Sequence, residues 1–139
     1  MRFLLDTNIL SEAFKRSPQP RVLTWLSQQM QLDLYISVLT IGELTMGFEL
    51  AMPGTRRDAL QLWATQELPR RFAGRLLPIT EAVAHEWGRM SAQGRATGRE
   101  LPVVDGLLLA TARTHDLTFV TRNERDCADR DVRILNPWR

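Results

Sequence analysis

Five short, mostly apolar runs recur along this chain, separated by stretches long enough to be helices. They are Phe3–Leu5, Leu34–Ile36, Arg75–Leu77, Thr118–Val120 and Val132–Leu135. Most lack the every-second-residue alternation of a half-solvated strand, so they read as strands buried on both faces. Helical patterning fills the intervals over 8–15, 20–30, 38–51, 56–68, 80–97 and 103–115. Pro53-Gly54 breaks one helical pair, and Pro69 and Pro78 bracket the third strand. Strand–helix alternation of this kind predicts an α/β fold: a three-layer sandwich with a parallel sheet of about five strands between helices. Ligands of such folds sit beyond the carboxyl ends of the strands.

The bulk properties narrow the class. A chain of 139 residues fits a single domain, 1–139, with a core that needs no covalent staples. With 44% apolar and 24% charged residues it has the composition of a soluble globular protein. No repeat, low-complexity tract or dividing linker is present. Cys127 is the one cysteine, which rules out an internal disulfide and suggests the cytoplasm. The opening apolar run is too short for a signal peptide or a membrane span, so no membrane role is expected. The net charge is +2, yet every basic residue except Lys15 is arginine. Arginine-rich clusters at 70–75 and 94–99 suit phosphate recognition, while a coding bias toward arginine would look the same.

The chemistry concentrates in acids. Asp6 follows the first strand, either as a cap for the next helix or as part of a site. On the helix over 39–50, Glu43 and Glu49 lie roughly 120° apart. Glu49 shares its side with Thr45, whereas Glu43 is flanked by Leu39, Gly47 and Leu50, an apolar setting for a carboxylate. Asp105 falls on the buried stripe of Leu108, Leu109 and Ala112, although an aspartate near a helix start is also a common cap. Thr121, Asn123 and Asp126 lie just past the fourth strand. If the first and fourth strands are neighbours, these acids meet at one edge of the sheet. They would then repel one another unless a cation intervened or some stayed protonated. Oxygen donors without histidine or cysteine favour Mg²⁺ or Mn²⁺, and metal-assisted phosphoryl chemistry with them.

Other chemistries lack their residues. No phosphate-binding glycine loop, dinucleotide fingerprint or G-x-S-x-G is present, and His85 and His115 lack metal spacing. A haloacid-dehalogenase-like phosphatase needs a second aspartate where Asn8 stands, together with a lysine. A receiver-type signalling domain needs a lysine beyond its last strand, and Lys15 lies in the first helix.

Four segments, "LLDTNILSE", "SVLTIGELTMG", "ELPVVDGLLLATARTHDLTFVTRN" and "LNPWR", in this order and spacing, resemble the PIN-domain family. Within it the likeness is to VapC/FitB-like ribonuclease toxins of type II toxin–antitoxin systems. The resemblance implies strand order 3-2-1-4-5 and an acidic pocket holding Mg²⁺ or Mn²⁺. It also implies endonucleolytic cleavage of RNA to a 5′-phosphate and a 3′-hydroxyl. Carried over by position, Asp6 and Asp105 are the metal-binding aspartates, Glu43 orients or deprotonates the attacking water, and Thr7 and Asn8 are supporting residues. Many relatives carry an aspartate where this chain has Asn123. Asp126 is then the fourth carboxylate, with Thr121 and Asn123 hydrogen-bonding its neighbours, and one metal is favoured over two. Implied partners are RNA, a second copy of the chain, and a cognate antitoxin that inserts an arginine into the pocket and alone contacts operator DNA. Tryptophans 25, 63, 87 and 138 could mark such interfaces or fill the core. The neutral Asn123 leaves open an inactive PIN fold that only binds nucleic acid or antitoxin.

Overall fold

The sheet is five-stranded and wholly parallel, in the order β3-β2-β1-β4-β5. The structure, a computed structural model, describes residues 1–139. Its strands are β1 (Phe3–Leu5), β2 (Leu34–Ser37), β3 (Leu76–Leu77), β4 (Thr118–Val120) and β5 (Ile134–Leu135). Each matches one of the runs read from sequence, trimmed at β3 and β5. Arg75 nevertheless extends the β3 pairing, its carbonyl accepting from the Ile36 N–H at 3.0 Å.

Successive strand residues face opposite ways, and the core divides accordingly. Phe3, Leu5, Ile36 and Val120 point to one side. There they meet α1 (Thr7–Phe14), α2 (Pro20–Gln28), α3 (Val38–Leu50), α4 (Thr55–Leu62) and α5 (Leu68–Arg71). Leu4 and Phe119 point to the other side, under α6 (Glu81–Ala96) and α7 (Val103–Thr114). This is the expected three-layer sandwich. All four tryptophans are half-buried and pack against these two clusters.

Helix starts follow local chemistry. Proline opens α2, where its missing N–H costs nothing. Ser37 caps α3 by accepting from the Leu39 N–H at 3.0 Å, and Thr80 caps α6 through the Val83 N–H at 3.2 Å. One expectation fails here. The helix read over 56–68 does not stop at Pro69. Proline lacks an N–H and its ring collides with the carbonyl four residues back. A π-helical turn over Trp63–Glu67 widens the ladder, with the Leu68 N–H reaching back to the Trp63 carbonyl, and α5 continues through Pro69. No helix is long and apolar enough to cross a membrane.

Candidate active site

Because β1 and β4 are adjacent and parallel, the residues that follow them emerge side by side. The backbone pairing runs one step past β1, with the Asp6 N–H donating to the Val120 carbonyl at 2.9 Å. Asp6 divides its two carboxylate oxygens between a cap and the sheet edge. It is the N-cap of α1, its Oδ1 accepting from the Thr7 N–H at 2.7 Å. Its Oδ2 faces the sheet edge and accepts from Thr121 Oγ1 at 2.7 Å and Asn8 Nδ2 at 3.3 Å. Thr121 itself is fully buried.

The other acids arrive from three elements. Asp105 lies in the first turn of α7 and is half-exposed, less buried than its stripe predicts. It does not cap: α7 begins after Pro102 with no side-chain cap bond. Asp126 lies on α8 (Glu124–Cys127). Asn123 bridges the two, its Nδ2 donating to Asp105 Oδ2 at 3.1 Å and Asp126 Oδ2 at 3.2 Å. The Asn123 N–H in turn donates to Thr121 Oγ1 at 3.0 Å, so a single loop serves Asp6, Asp105 and Asp126.

Glu43, on α3, is not held by an apolar flank, since Gly47 and Leu50 are exposed. It is held by Thr7, whose Oγ1 donates to Glu43 Oε1 at 2.6 Å and lies 3.2 Å from Thr40 Oγ1. Thr7 has one hydroxyl proton, and the shorter contact to a carboxylate takes it. The fully buried Thr40 therefore donates to Thr7, completing a relay from Thr40 through Thr7 to Glu43. Sequence reading missed Thr40. Its signal was its place one turn before Glu43 on the same helix face.

Electrostatically the four acids form one group. Burial, first, pushes Asp6 up from 3.8 to about 6, against the Thr121 and Thr7 donors and with the help of Asp105 and Glu43. Asp105 is also raised, by burial and then by Asp126 and Glu43, with Asn123 opposing. No arginine, lysine or histidine forms an ion pair with any of the four. As they stand they do not close into a cage: no group of three or more His, Cys, Asp or Glu side chains is placed to hold a metal ion. Neutral donors from Thr7, Thr121 and Asn123 occupy the carboxylate oxygens instead. The donor set is nonetheless suited to a hard divalent cation, being all oxygen. It includes Asn8 Oδ1, a buried oxygen with no hydrogen-bond partner beside Asp6.

The remaining reactive groups stand aside. His85 pairs with Glu81 on an exposed helix face. Cys127 is fully buried, and burial pushes its thiol up to about 12, so it is a small core hydrophobe.

Comparison with known proteins points the same way. A family profile described as the PIN domain matches residues 3–131. The chain is 36% identical over 135 residues to Toxin FitB of Neisseria gonorrhoeae, covering 97% of each. It is 33% identical over 135 residues to a VapC ribonuclease of Sinorhizobium fredii, covering 97% of this chain and 96% of that one. Among solved structures, FitAB bound to a DNA fragment superposes with a TM-score of 0.93 at 34% identity, covering 99% of this chain and 96% of that one.

Proposed function

The chain belongs to the PIN-domain family, and from that premise we propose that it is the ribonuclease toxin of a type II toxin–antitoxin pair. What supports this above all is a set of four carboxylates at one sheet edge with no basic partner, two of them raised by burial and mutual repulsion. Such a set costs folding free energy and is relieved by a divalent cation.

Asp6 and Asp105 would hold a single Mg²⁺ or Mn²⁺, with Asp126 completing the charge through water and Asn123 contributing none. When bound, that ion supplies Lewis-acid stabilisation of the phosphoryl oxygens and a lowered pKa for water. Glu43 is the base. Thr7 occupies its Oε1 and leaves Oε2 to orient the attacking water and take its proton. The water oxygen bonds to phosphorus, the P–O3′ bond breaks, and the leaving O3′ takes up a proton. The products are a 5′-phosphate and a 3′-hydroxyl. Surface arginines would bind the RNA backbone, a contact weakened by salt and poor in sequence information.

The proposed partner is a cognate antitoxin, with operator DNA met through that antitoxin, a reading in keeping with the likeness to FitAB bound to a DNA fragment. Homodimer formation and residence in the cytoplasm complete the proposal. One rival has an observation in its favour: the open carboxylate cluster also suits a PIN fold that binds without cutting. A single assay decides. Protein freed of antitoxin, incubated with RNA and Mg²⁺ or Mn²⁺, should yield fragments with ligatable 5′-phosphates, and a chelator should stop it. Intact RNA under every divalent condition would favour the rival.

A further inference from the structure

We propose that Trp138 is a positioning residue for the acidic edge: its indole locks Arg122, which lies between Thr121 and Asn123, and so aims the side chains that hold Asp6, Asp105 and Asp126. The proposal rests on the ribonuclease reading only for its consequence on rate.

Arg122 is exposed, and its partner is the Trp138 ring, with the guanidinium carbon 5.3 Å from the centroid. Left unanchored, its long side chain would be free in solvent. Its two neighbours, by contrast, point inward. Thr121 donates to Asp6 and Asn123 to Asp105 and Asp126. Whatever fixes residue 122 therefore fixes the peptide on which both donors hang.

Trp138 is well placed to do this because it is itself pinned from several sides. It packs against the core cluster under α1 and α2. Its backbone N–H donates to Asn136 Oδ1 at 2.9 Å, and Asn136 directly follows β5, whose Leu135 carbonyl accepts from the Thr121 N–H at 3.0 Å. Its indole also helps hold the Glu12 carboxyl below the usual range, behind the larger contribution of Lys15. Glu12 is buried on α1, where it accepts from Lys15 Nζ and the Gln19 N–H, each at 3.0 Å. Arg139 adds a second tie on the far side of Asn123, its Nε lying 3.2 Å from Glu124 Oε2. Residues 122 and 124 are thus both strapped to the segment after β5, with Asn123 held between them.

A tryptophan that merely filled core space would be replaceable by leucine at little cost to the loop, so the test separates ring from bulk. In the metal-free full-length protein, Trp138→Leu and Arg122→Ala should speed hydrogen exchange of the Asn123 and Ala128 amides by about tenfold, leaving unchanged the amides of α6, on the face of the sheet that Trp138 does not touch. Both should lower kcat by about tenfold at unchanged KM, the low end of what residues supporting a site's ligands are worth. Trp138→Phe, which keeps a ring face, should restore both. Loop exchange unaltered in Trp138→Leu, or raised equally in α6, would overturn the proposal. Wild-type protein that cuts no RNA would defeat the ribonuclease reading instead, leaving the exchange result to judge the strap.

Discussion

Aspartates gather at both ends of the sheet, and the two gatherings differ in everything except residue type. Asp6, Asp105 and Asp126 sit where the strands end. Asp116, Asp129 and Asp131 sit where β4 and β5 begin, and all three have left-handed backbones, with φ of 53°, 59° and 59°. At this second end two of the three acids have partners: Arg133 lies 3.2 Å from Asp116 and Arg113 lies 3.0 Å from Asp131, with both carboxylates more than four-fifths exposed. At the first end Asp6 is 7% exposed and no cation is within pairing distance. A count of acids would not separate these regions. Desolvation without a counter-charge does, and it is this feature on which the proposed cation site rests.

The widest gap between the two ends should appear in activity. Asp105→Ala should lower RNA cleavage by about 10³-fold or more, the equivalent of about 4 kcal/mol of transition-state stabilisation. Asp131→Ala should leave cleavage unchanged. Thermal stability should move the other way from function, because removing Asp105 relieves a repelled, half-buried charge. Equal activity of the two variants, measured on one RNA under one Mg²⁺ concentration, would erase the distinction.

The next effect is on stability and pH in the metal-free protein. Asp6 titrates at about 6 when folded against an ordinary value of 3.8. A raised folded pKa means that its contribution is fully present at low pH and is lost as the pH climbs from about 4 through about 6. The loss from this residue is about 3 kcal/mol at neutral pH. Asp105 acts in the same direction. Denaturant titrations across that range should show the decline, and Asp6→Asn should flatten it. Divalent cation added at neutral pH should recover stability in the wild type and not in the variant.

Much of this was legible because it is local or periodic. Each strand is a compact apolar run, Asp6 follows its strand directly, and the 121–126 loop is continuous in sequence. What could not be read depends on partners brought from afar. A helical wheel surrounds Glu43 with Leu39, Gly47 and Leu50, yet its environment is set by Thr7, 36 residues earlier. Glu12 went unnoticed because a buried acid on a helix gives no signal until Lys15, the Gln19 N–H and Trp138 converge on it. Pro69 read as a stop because the tertiary packing of Leu68 and Phe72 into the core, which carries the helix past it, has no local signature.

Two glycines beside site acids sharpen the comparison further. A Cβ on Gly106, next to Asp105, would lie 3.0 Å from the Trp87 ring and from Leu101, so α6 and α7 approach closely there. Gly106→Ala should cost about 1–3 kcal/mol and shift Asp105 with its helix. Gly42, next to Glu43, has nothing within 4 Å of such an atom. Gly42→Ala should stabilise α3 by about 0.5–1 kcal/mol. Chemical denaturation of the two variants should give opposite signs.

The smallest effect belongs to the far end of the sheet. Asp116 is the residue after the C-cap of α7, and the Leu117 N–H bonds the Ala112 carbonyl at 2.8 Å while the Asp116 N–H reaches the Arg113 carbonyl at 3.3 Å. That pattern closes a helix through one left-handed residue, a place glycine fills without strain. Asp116→Gly should therefore gain backbone ease while losing an exposed pair with Arg133, itself worth at most about 1 kcal/mol. The two terms oppose, and the net change should stay within about 1 kcal/mol, with RNA cleavage untouched. A fall in cleavage on Asp116→Gly would mean that the arginine-paired aspartates at the start of the strands also serve the chemistry, and the division between the two ends would have to be redrawn.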